Sequence, residues 1–336
     1  MRMKVSVLDQ TQLLEDISAE EGFAQSVELA KHVDKLGYHR YWLSEHHSTD
    51  ALAGSSPEIL ASHLLAKTDR IKVGTGGVML PHYSAYKVAE NFKVMSALAP
   101  ARVDMGVGRA PGGHHLSSMA LQGERARRNV DIFPEQIDEV LEYLEDRLPD
   151  NHRLRGLQST PVVEKKPDVW VLGTSNSSAL LAAEKGLPYA FAQFINYQAG
   201  GMEQALKLYV DNFKPSKYLD KPQALVTMKV IVADTDEEAE KIAETALRFN
   251  YYLHRGHLTR LVDPEKALAH VLNPADRREI EAVKETYIIG SKETVAQKVK
   301  ELTDQLPIDE LMAITPIYDF EKRKRSFTLL KEAVSV

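Results

Sequence analysis

The sequence has no cysteine among its 336 residues. Such a chain forms no disulfide bond, and it offers no thiolate to act as a nucleophile or to bind zinc or an iron–sulfur cluster. It also lacks an apolar run near the ~20 residues that span a bilayer. The first apolar run, Val5–Leu8, is too short for the core of a signal peptide, so we expect a cytoplasmic protein without a membrane anchor.

The sequence shows no large excess of charge of either sign. It contains 42 Lys and Arg residues against 48 Asp and Glu residues, which gives a net charge of -6. This mild acidity argues against nucleic acid or an anionic membrane surface as the main partner. Hydrophobic residues make up 43% of the chain and charged residues 27%, as is typical of a folded globular protein with a large core.

A short apolar strand followed by an amphipathic helix recurs along the chain. Alternation of this kind predicts parallel strand pairing, and eight strands favour a single α/β domain over residues 1–336, a (β/α)₈ TIM barrel. A doubly wound open sheet is the alternative. The eight predicted strands are Lys4–Leu8, Tyr38–Leu43, Ile71–Thr75, Val103–Val107, Val169–Leu172, Tyr189–Phe191, Ala224–Val232 and Leu311–Ile314.

Three segments are longer than ordinary strand-to-helix connections. We interpret them as insertions at the ends of the barrel. They are Pro111–Asn129, Pro149–Pro167 and Asp234–Tyr287. The stretch Thr235–Asp304, which contains most of the third insertion, is predicted to be mostly helical.

Glycines and polar residues cluster where four predicted strands end. The active site of a TIM barrel is built from the loops that follow its strands, so these four runs would face one common mouth. They are Ser44–His47, Gly74–Gly77, Gly106–Arg109 and Gly173–Ser178.

The run after the fifth strand has the composition of a phosphate site. Gly173, Thr174, Ser175 and Ser178 precede or open a helix, whose first N–H groups lack partners within the helix and favour an anion. Hydroxyl groups could add hydrogen bonds, and Arg109 from the neighbouring strand could neutralise charge. The alternative is that these residues only cap the helix.

The glycines after the third and fourth strands do not complete a dinucleotide fingerprint. Gly74 and Gly76 match its first part, but Met79 stands where the third glycine belongs, and the pair Gly106 and Gly108 fails likewise. Glycine lets a flat ligand approach the backbone closely, which is one interpretation; ordinary turns are the other.

The histidine pair after the second strand is a candidate acid or base. Adjacent residues at a strand end point to opposite faces, so His46 and His47 are unsuited to share one metal ion. No His-Glu-x-x-His pattern is present, and we predict no metal site. One imidazole of the pair facing the mouth could transfer a proton near neutral pH, although a buried structural histidine is equally compatible with the sequence.

Five collinear segments resemble the luciferase-like flavin monooxygenases, and together they extend over nearly the whole chain. The resemblance implies a (β/α)₈ barrel that binds FMN at the C-terminal mouth, and it implies a homodimer. The segments are Tyr41–His47 (YWLSEHH), Val73–Pro81 (VGTGGVMLP), Leu98–Gly112 (LAPARVDMGVGRAPG), Trp170–Ala192 and the tail Ile314–Leu330.

The resemblance assigns individual roles around the FMN phosphate. Arg109, Ser175 and Ser178 match positions that hold this phosphate in bacterial luciferase, and Gly173 belongs to the same turn. Thr174 replaces a glutamate there.

Further assignments concern the flavin ring and the catalytic base. Gly76 and Gly77 fall where luciferase has two alanines joined by a cis peptide bond beneath the ring, and Gly108 replaces a cysteine that lines the ring site. His46 falls on the histidine implicated as the catalytic base.

The leading functional hypothesis is a two-component monooxygenase. A separate flavin reductase would deliver reduced FMN, and O₂ would add to it as a flavin peroxide that oxidises a small organic substrate. Two alternatives remain open: a deazaflavin-dependent hydride-transfer enzyme on the same barrel, and a flavin-binding protein without turnover. The substrate stays undetermined by the sequence.

Overall fold

The computed structural model describes residues 3–123, 131–195, 200–255, 260–269 and 271–335. Helices follow most strands, in the βα order that the sequence predicts. The described strands are β1 (Lys4–Asp9), β2 (Arg40–Leu43), β3 (Lys72–Met79), β4 (Val103–Gly108), β5 (Asp168–Gly173), β6 (Tyr189–Ala192), β7 (Ala224–Ala233), β8 (Tyr287–Ser291) and β9 (Glu310–Ile314).

Twelve α-helices are described in these residues, and a short 3₁₀ turn, Leu80–His82, follows β3. The helices are α1 (Ala19–Lys35), α2 (Pro57–Leu65), α3 (Ala85–Leu98), α4 (His115–Gln122), α5 (Phe133–Leu144), α6 (Asn176–Lys185), α7 (Gly201–Asn212), α8 (Asp236–His254), α9 (Pro264–Ala269), α10 (Pro274–Lys284), α11 (Lys292–Gln305) and α12 (Phe320–Ala333). None of the helices in these ranges has the length and apolar composition needed to cross a bilayer.

Eight of the strands form a closed parallel ring. Their order is β1-β2-β3-β4-β5-β6-β7-β9, and β9 pairs back with β1, where Lys4 aligns with Glu310. The (β/α)₈ barrel is therefore confirmed, and the open sheet is excluded because the ring has no free edge.

The stretch Thr235–Asp304 is mostly helical, as predicted, but it also contains the strand β8, which the sequence analysis did not predict. β7 is ten residues long, and its first part pairs with β6 while its last part, from Lys229, pairs with β8. Five residues between two strongly periodic helices give a weak strand pattern in sequence. The strand forms because the protruding end of β7 has backbone groups that need partners.

A second apolar core covers the end of β7 that extends past the barrel. Ile231 from β7 and Ile289 from β8 pack with Ala243 and Leu247 of α8 and with Ile280 of α10. This insertion therefore forms one wall around the carboxyl ends of the strands, the end where a barrel carries its active site.

The opposite end of the barrel interior is filled by a buried ion cluster. Arg40 Nη1 donates to Asp104 Oδ2 at 2.7 Å and Arg40 Nε donates to Glu310 Oε1 at 2.8 Å. The guanidinium also lies 4.7 Å from the centre of the Trp170 ring, and the Trp42 and Trp170 rings pack edge to face above it.

Candidate active site

A cavity of about 440 Å³ lies at the carboxyl ends of the barrel strands. Its floor consists of inward side chains of the strands, and none of the described residues that line it carries a carboxylate. Seven of the nine predicted site residues line this cavity: Gly76, Gly108, Arg109, Gly173, Thr174, Ser175 and Ser178. The other two, Gly77 and His46, lie outside its lining.

Glycine keeps one wall of the cavity flat. A Cβ at Gly76 would lie 2.7 Å from Leu8 Cδ1, and one at Gly108 would lie 3.2 Å from Met79 Cε. The Gly76–Gly77 peptide bond is cis. Gly77 packs between strands instead of facing the cavity, because a Cβ there would lie 2.6 Å from the Gly106 carbonyl oxygen.

Helix α6 begins at the cavity wall with a capping box. Ser175 Oγ accepts from the Ser178 backbone N–H at 3.4 Å, and Ser178 Oγ accepts from the Ser175 N–H at 3.3 Å. Ser175 Oγ also lies 2.9 Å from Ser177 Oγ. Hydroxyl groups and the positive end of the helix dipole thus lie together at the cavity, an arrangement that favours an anion.

Gly173 and Ser178 shape this turn. Ser178 Oγ donates to the Ser175 carbonyl oxygen at 2.7 Å and lies 3.0 Å from the Tyr189 hydroxyl. A Cβ at Gly173 would lie 2.0 Å from the same Oγ, so only glycine allows α6 to approach β5 this closely. The Ser178 hydroxyl is thus engaged within the protein, whereas Thr174 and Ser175 stand nearer to solvent.

Arg109 lies at the rim of the cavity and pairs with an acidic residue that the sequence did not single out. Its Nη1 donates to Asp131 Oδ2 at 2.7 Å, and both side chains are about half exposed. An exposed ion pair of this kind is worth little, about 0–1 kcal/mol. Arg109 can therefore exchange Asp131 for a more strongly charged anion at low cost.

His46 lies three residues beyond the end of β2 and outside the cavity lining. Its Nδ1 lies 3.2 Å from Ser44 Oγ, and its backbone N–H donates to the Gly54 carbonyl oxygen at 2.8 Å. Burial, reinforced by the neighbouring His47, lowers the pKa of His46 to about 4. The imidazole is therefore neutral at physiological pH and can accept a proton from a ligand.

His47 belongs to a separate buried network on the other side of the strand end. Its Nε2 lies 2.8 Å from Glu45 Oε1, which also accepts from the Tyr83 hydroxyl at 2.8 Å. Glu45 Oε2 accepts from the Met79 N–H at 3.0 Å, and the His82 ring packs edge to face on His47. This network ties the end of β2 to β3 and to the turn that follows it.

A family model described as luciferase-like monooxygenase matches residues 3–309. The chain belongs to the luciferase-like monooxygenase family. This match confirms the family resemblance that the sequence motifs predicted. Membership of this family indicates a monooxygenase.

Relatives of this luciferase-like chain match it along nearly its full length. The uncharacterized protein YwcH of Bacillus subtilis is 44% identical over 335 residues, covering 98% of this chain and 99% of YwcH. The N-acetyl-S-alkylcysteine monooxygenase of the same organism is 37% identical over 332 residues, covering 99% and 98%. The crystal structure of apo-MsnO8 superposes with a TM-score of 0.89 at 32% identity, covering 99% and 98%.

Two more distant structures share the fold. The oxygenating constituent of 3,6-diketocamphane monooxygenase, solved with FMN, gives a TM-score of 0.73 at 19% identity, with 99% and 97% coverage. An F420-dependent secondary alcohol dehydrogenase gives a TM-score of 0.69 at 16% identity, with 99% coverage of both chains. The same fold thus occurs in an FMN complex and in an F420-dependent enzyme, so the fold alone does not decide between these two cofactors.

Sequence reasoning missed several residues of the mouth. Thr227 of β7 and Met312 of β9 line the cavity floor. Both could have been found, because side chains along a strand alternate between its two faces. Thr227 and Met312 lie on the faces that point into the barrel. Glu45 lies in the predicted run Ser44–His47, but its contacts with Met79 and Tyr83 had no local signal. Asp131 had none either, because it reaches Arg109 from 22 residues along the chain.

Proposed function

We propose that this chain is an FMN-dependent monooxygenase that uses reduced FMN and O₂ to oxidise a small organic substrate. The observation that carries the proposal is the division of one cavity into two parts. One end has a guanidinium and a hydroxyl-rich helix N-terminus, and the other is apolar with a glycine wall. This arrangement is complementary to a flat ring that bears a phosphate.

The residues present fit FMN in detail. Arg109, Thr174 and Ser175 would hold the phosphate, while Gly173 and Ser178 maintain the turn that presents these groups. Gly76 and Gly108 would lie against the ring, with Gly77 supporting the strand behind it. When bound, reduced flavin supplies the electrons that activate O₂. The apolar walls exclude water from the reacting atoms, and the neutral His46 imidazole would hold or accept a proton of the substrate.

The test combines cofactor binding with oxygen uptake. We expect FMN to bind more tightly than riboflavin, and a flavin reductase with reduced FMN to support substrate-dependent O₂ consumption after subtraction of uncoupled hydrogen peroxide. The substrate panel begins with S-alkylated N-acetylcysteines, because a 37% identical relative bears that activity in its name, and includes aldehydes, amines, sulfonates and ketones. Anaerobic hydride transfer with a deazaflavin, or flavin binding without any turnover, would contradict the proposal.

Replacement of Arg109 tests the phosphate site. We expect Arg109→Ala to weaken FMN binding by about 1.5–3 kcal/mol, the range for a hydrogen bond to a charged group. Riboflavin lacks the phosphate, so its affinity should change much less, as measured by fluorescence titration of both ligands. Asp131→Asn is the matched control, because it removes the resting partner of Arg109 and leaves the guanidinium in place. Equal losses for FMN and riboflavin would show that Arg109 acts on the ring or the fold.

We further propose that two chains associate through α2 and α3. Ile59 is 71% exposed, Leu98 70% and Val94 45%, which leaves an apolar face on these helices that does not contact the barrel. Light scattering should give the mass of two chains, and Ile59→Glu with Leu98→Glu should give one. Val162→Glu is the control, since Val162 is 72% exposed on a different segment. A single-chain mass for the unmodified protein at micromolar concentration rules out the dimer.

A further inference from the structure

A buried lysine stands at the mouth of the barrel on β7, two strands along the ring from β5, which leads into the candidate phosphate site. Lys229 lies two residues beyond Thr227 on β7, and the register places it beside Ile314 of β9, two residues beyond Met312. Thr227 and Met312 line the cavity. Residues two apart on a strand share a face, so Lys229 occupies the next inward position toward the opening.

Among the residues that the structure describes, none supplies a counter-ion to Lys229. Its ammonium donates to Asn250 Oδ1 of α8 and lies 5.0 Å from the centre of the Tyr287 ring of β8. In the described part of the chain no carboxylate pairs with it, although the other buried lysine, Lys93, binds both oxygens of Asp146. Lys229 is only 8% exposed.

An ammonium held in this way is costly for the fold. Burial lowers the pKa of Lys229 to about 7, because the charged form loses its hydration without gaining an opposite charge. A methionine or leucine at the end of β7 would fill the same space without that cost. An unpaired buried charge beside a cavity is typical of a group that meets its partner only when a ligand is bound.

We propose that Lys229 binds an anionic group of the organic substrate, a carboxylate, on the β7 side of the cavity mouth, beyond Thr227. Lysine presents three donors on a flexible stem, and Asn250 accepts from one, so the ammonium can turn to the cavity and retain donors for a carboxylate. None of the described cavity-lining residues is acidic, so nothing there repels such a substrate. This inference rests on the proposed function, since it names the substrate class of the same site.

The test measures binding without turnover. N-acetyl-S-benzylcysteine and its primary amide form one probe pair, and phenylacetate and phenylacetamide form a second, each titrated calorimetrically into the protein with and without oxidised FMN. We expect a carboxylate preference of roughly 10- to 100-fold, the scale of a charge-assisted hydrogen bond. Lys229→Met should abolish the preference while leaving amide affinity unchanged. Because no reductant or O₂ is used, the outcome is independent of whether the chain turns over.

Two further variants secure the interpretation. Lys298→Met is the matched control: its ammonium donates to the Ile289 carbonyl oxygen on β8, outside the cavity lining, and it should keep the full preference. Asn250→Asp places a carboxylate beside Lys229 and should also abolish the preference, which decides the matter if Lys229→Met does not fold.

Three results overturn the proposal. The first is the absence of a carboxylate preference in the unmodified protein, and the second is persistence of that preference in both Lys229→Met and Asn250→Asp. The third is a loss in Lys229→Met of affinity for reduced FMN, measured anaerobically, with the probe preference intact. In that case the anion that Lys229 meets belongs to the flavin.

Discussion

Arg40→Met should lower the free energy of unfolding by about 3–5 kcal/mol, the cost of removing one partner from a buried ion network. The guanidinium is 2% exposed and holds both Asp104 and Glu310, which are fully buried. Burial already raises the pKa of Asp104 despite the opposing effect of Arg40. Without Arg40, two buried carboxylates would share the barrel interior, and Lys72, 3.9 Å from Asp104 Oδ1, would be the nearest lysine described.

Urea denaturation at neutral pH measures this loss of stability. The control is a variant in which all three charges of the cluster are removed together. The triple change Arg40→Met, Asp104→Asn and Glu310→Gln removes all three charges and should recover much of the lost stability, because no ion is then left unpaired. The loss caused by Arg40→Met alone should shrink in acid, where the carboxylates are protonated. A loss below about 1 kcal/mol would mean that water or neighbouring lysines satisfy the carboxylates.

The sequence predicted the barrel well because each barrel strand carries a local pattern. Runs such as Val169–Leu172 and Leu311–Ile314 are apolar and continuous, as is typical of strands covered on both faces. In a TIM barrel the carboxyl ends of all strands meet at one mouth, so the glycine and hydroxyl runs that follow the predicted strands could be assigned to that mouth from sequence. The strand β8 was missed because its apolar run, Tyr287–Ile289, has only three residues and lies between two helices, α10 and α11.

The candidate site likewise contains some residues that the sequence predicted and others that it did not. Gly76, Gly108, Arg109 and Ser175 were predictable, since each follows a recognisable strand. Lys229 was not, because a lysine inside a strand reads as a solvent-facing residue. Its burial depends on α8 and β8, which come from the insertion whose packing no local pattern specifies.

Replacement of His46 should have the largest effect on the proposed reaction. We expect His46→Ala to lower substrate oxidation by about 10²-fold or more, the usual scale for loss of a general acid or base, with FMN affinity nearly intact. The imidazole is neutral at physiological pH and follows a strand that ends at the mouth, so we expect it to accept a substrate proton. Without it, hydrogen peroxide released per reduced flavin should rise, as measured by coupled peroxide assay beside product formation.

His47→Ala is the matched control, because the two histidines are adjacent and differ in their partners. His47 bonds Glu45 inside the network that joins β2 to β3, so its loss should lower thermal stability more than turnover. A pKa near 4 also places any pH dependence caused by His46 on the acid side, where falling pH protonates the base and reduces the rate. His46→Gln should remove that acid limb while His47→Gln retains it. If His47→Ala loses coupling and His46→Ala keeps it, the proton-transfer role belongs to the Glu45–His47 pair and the mouth-facing assignment of His46 is wrong.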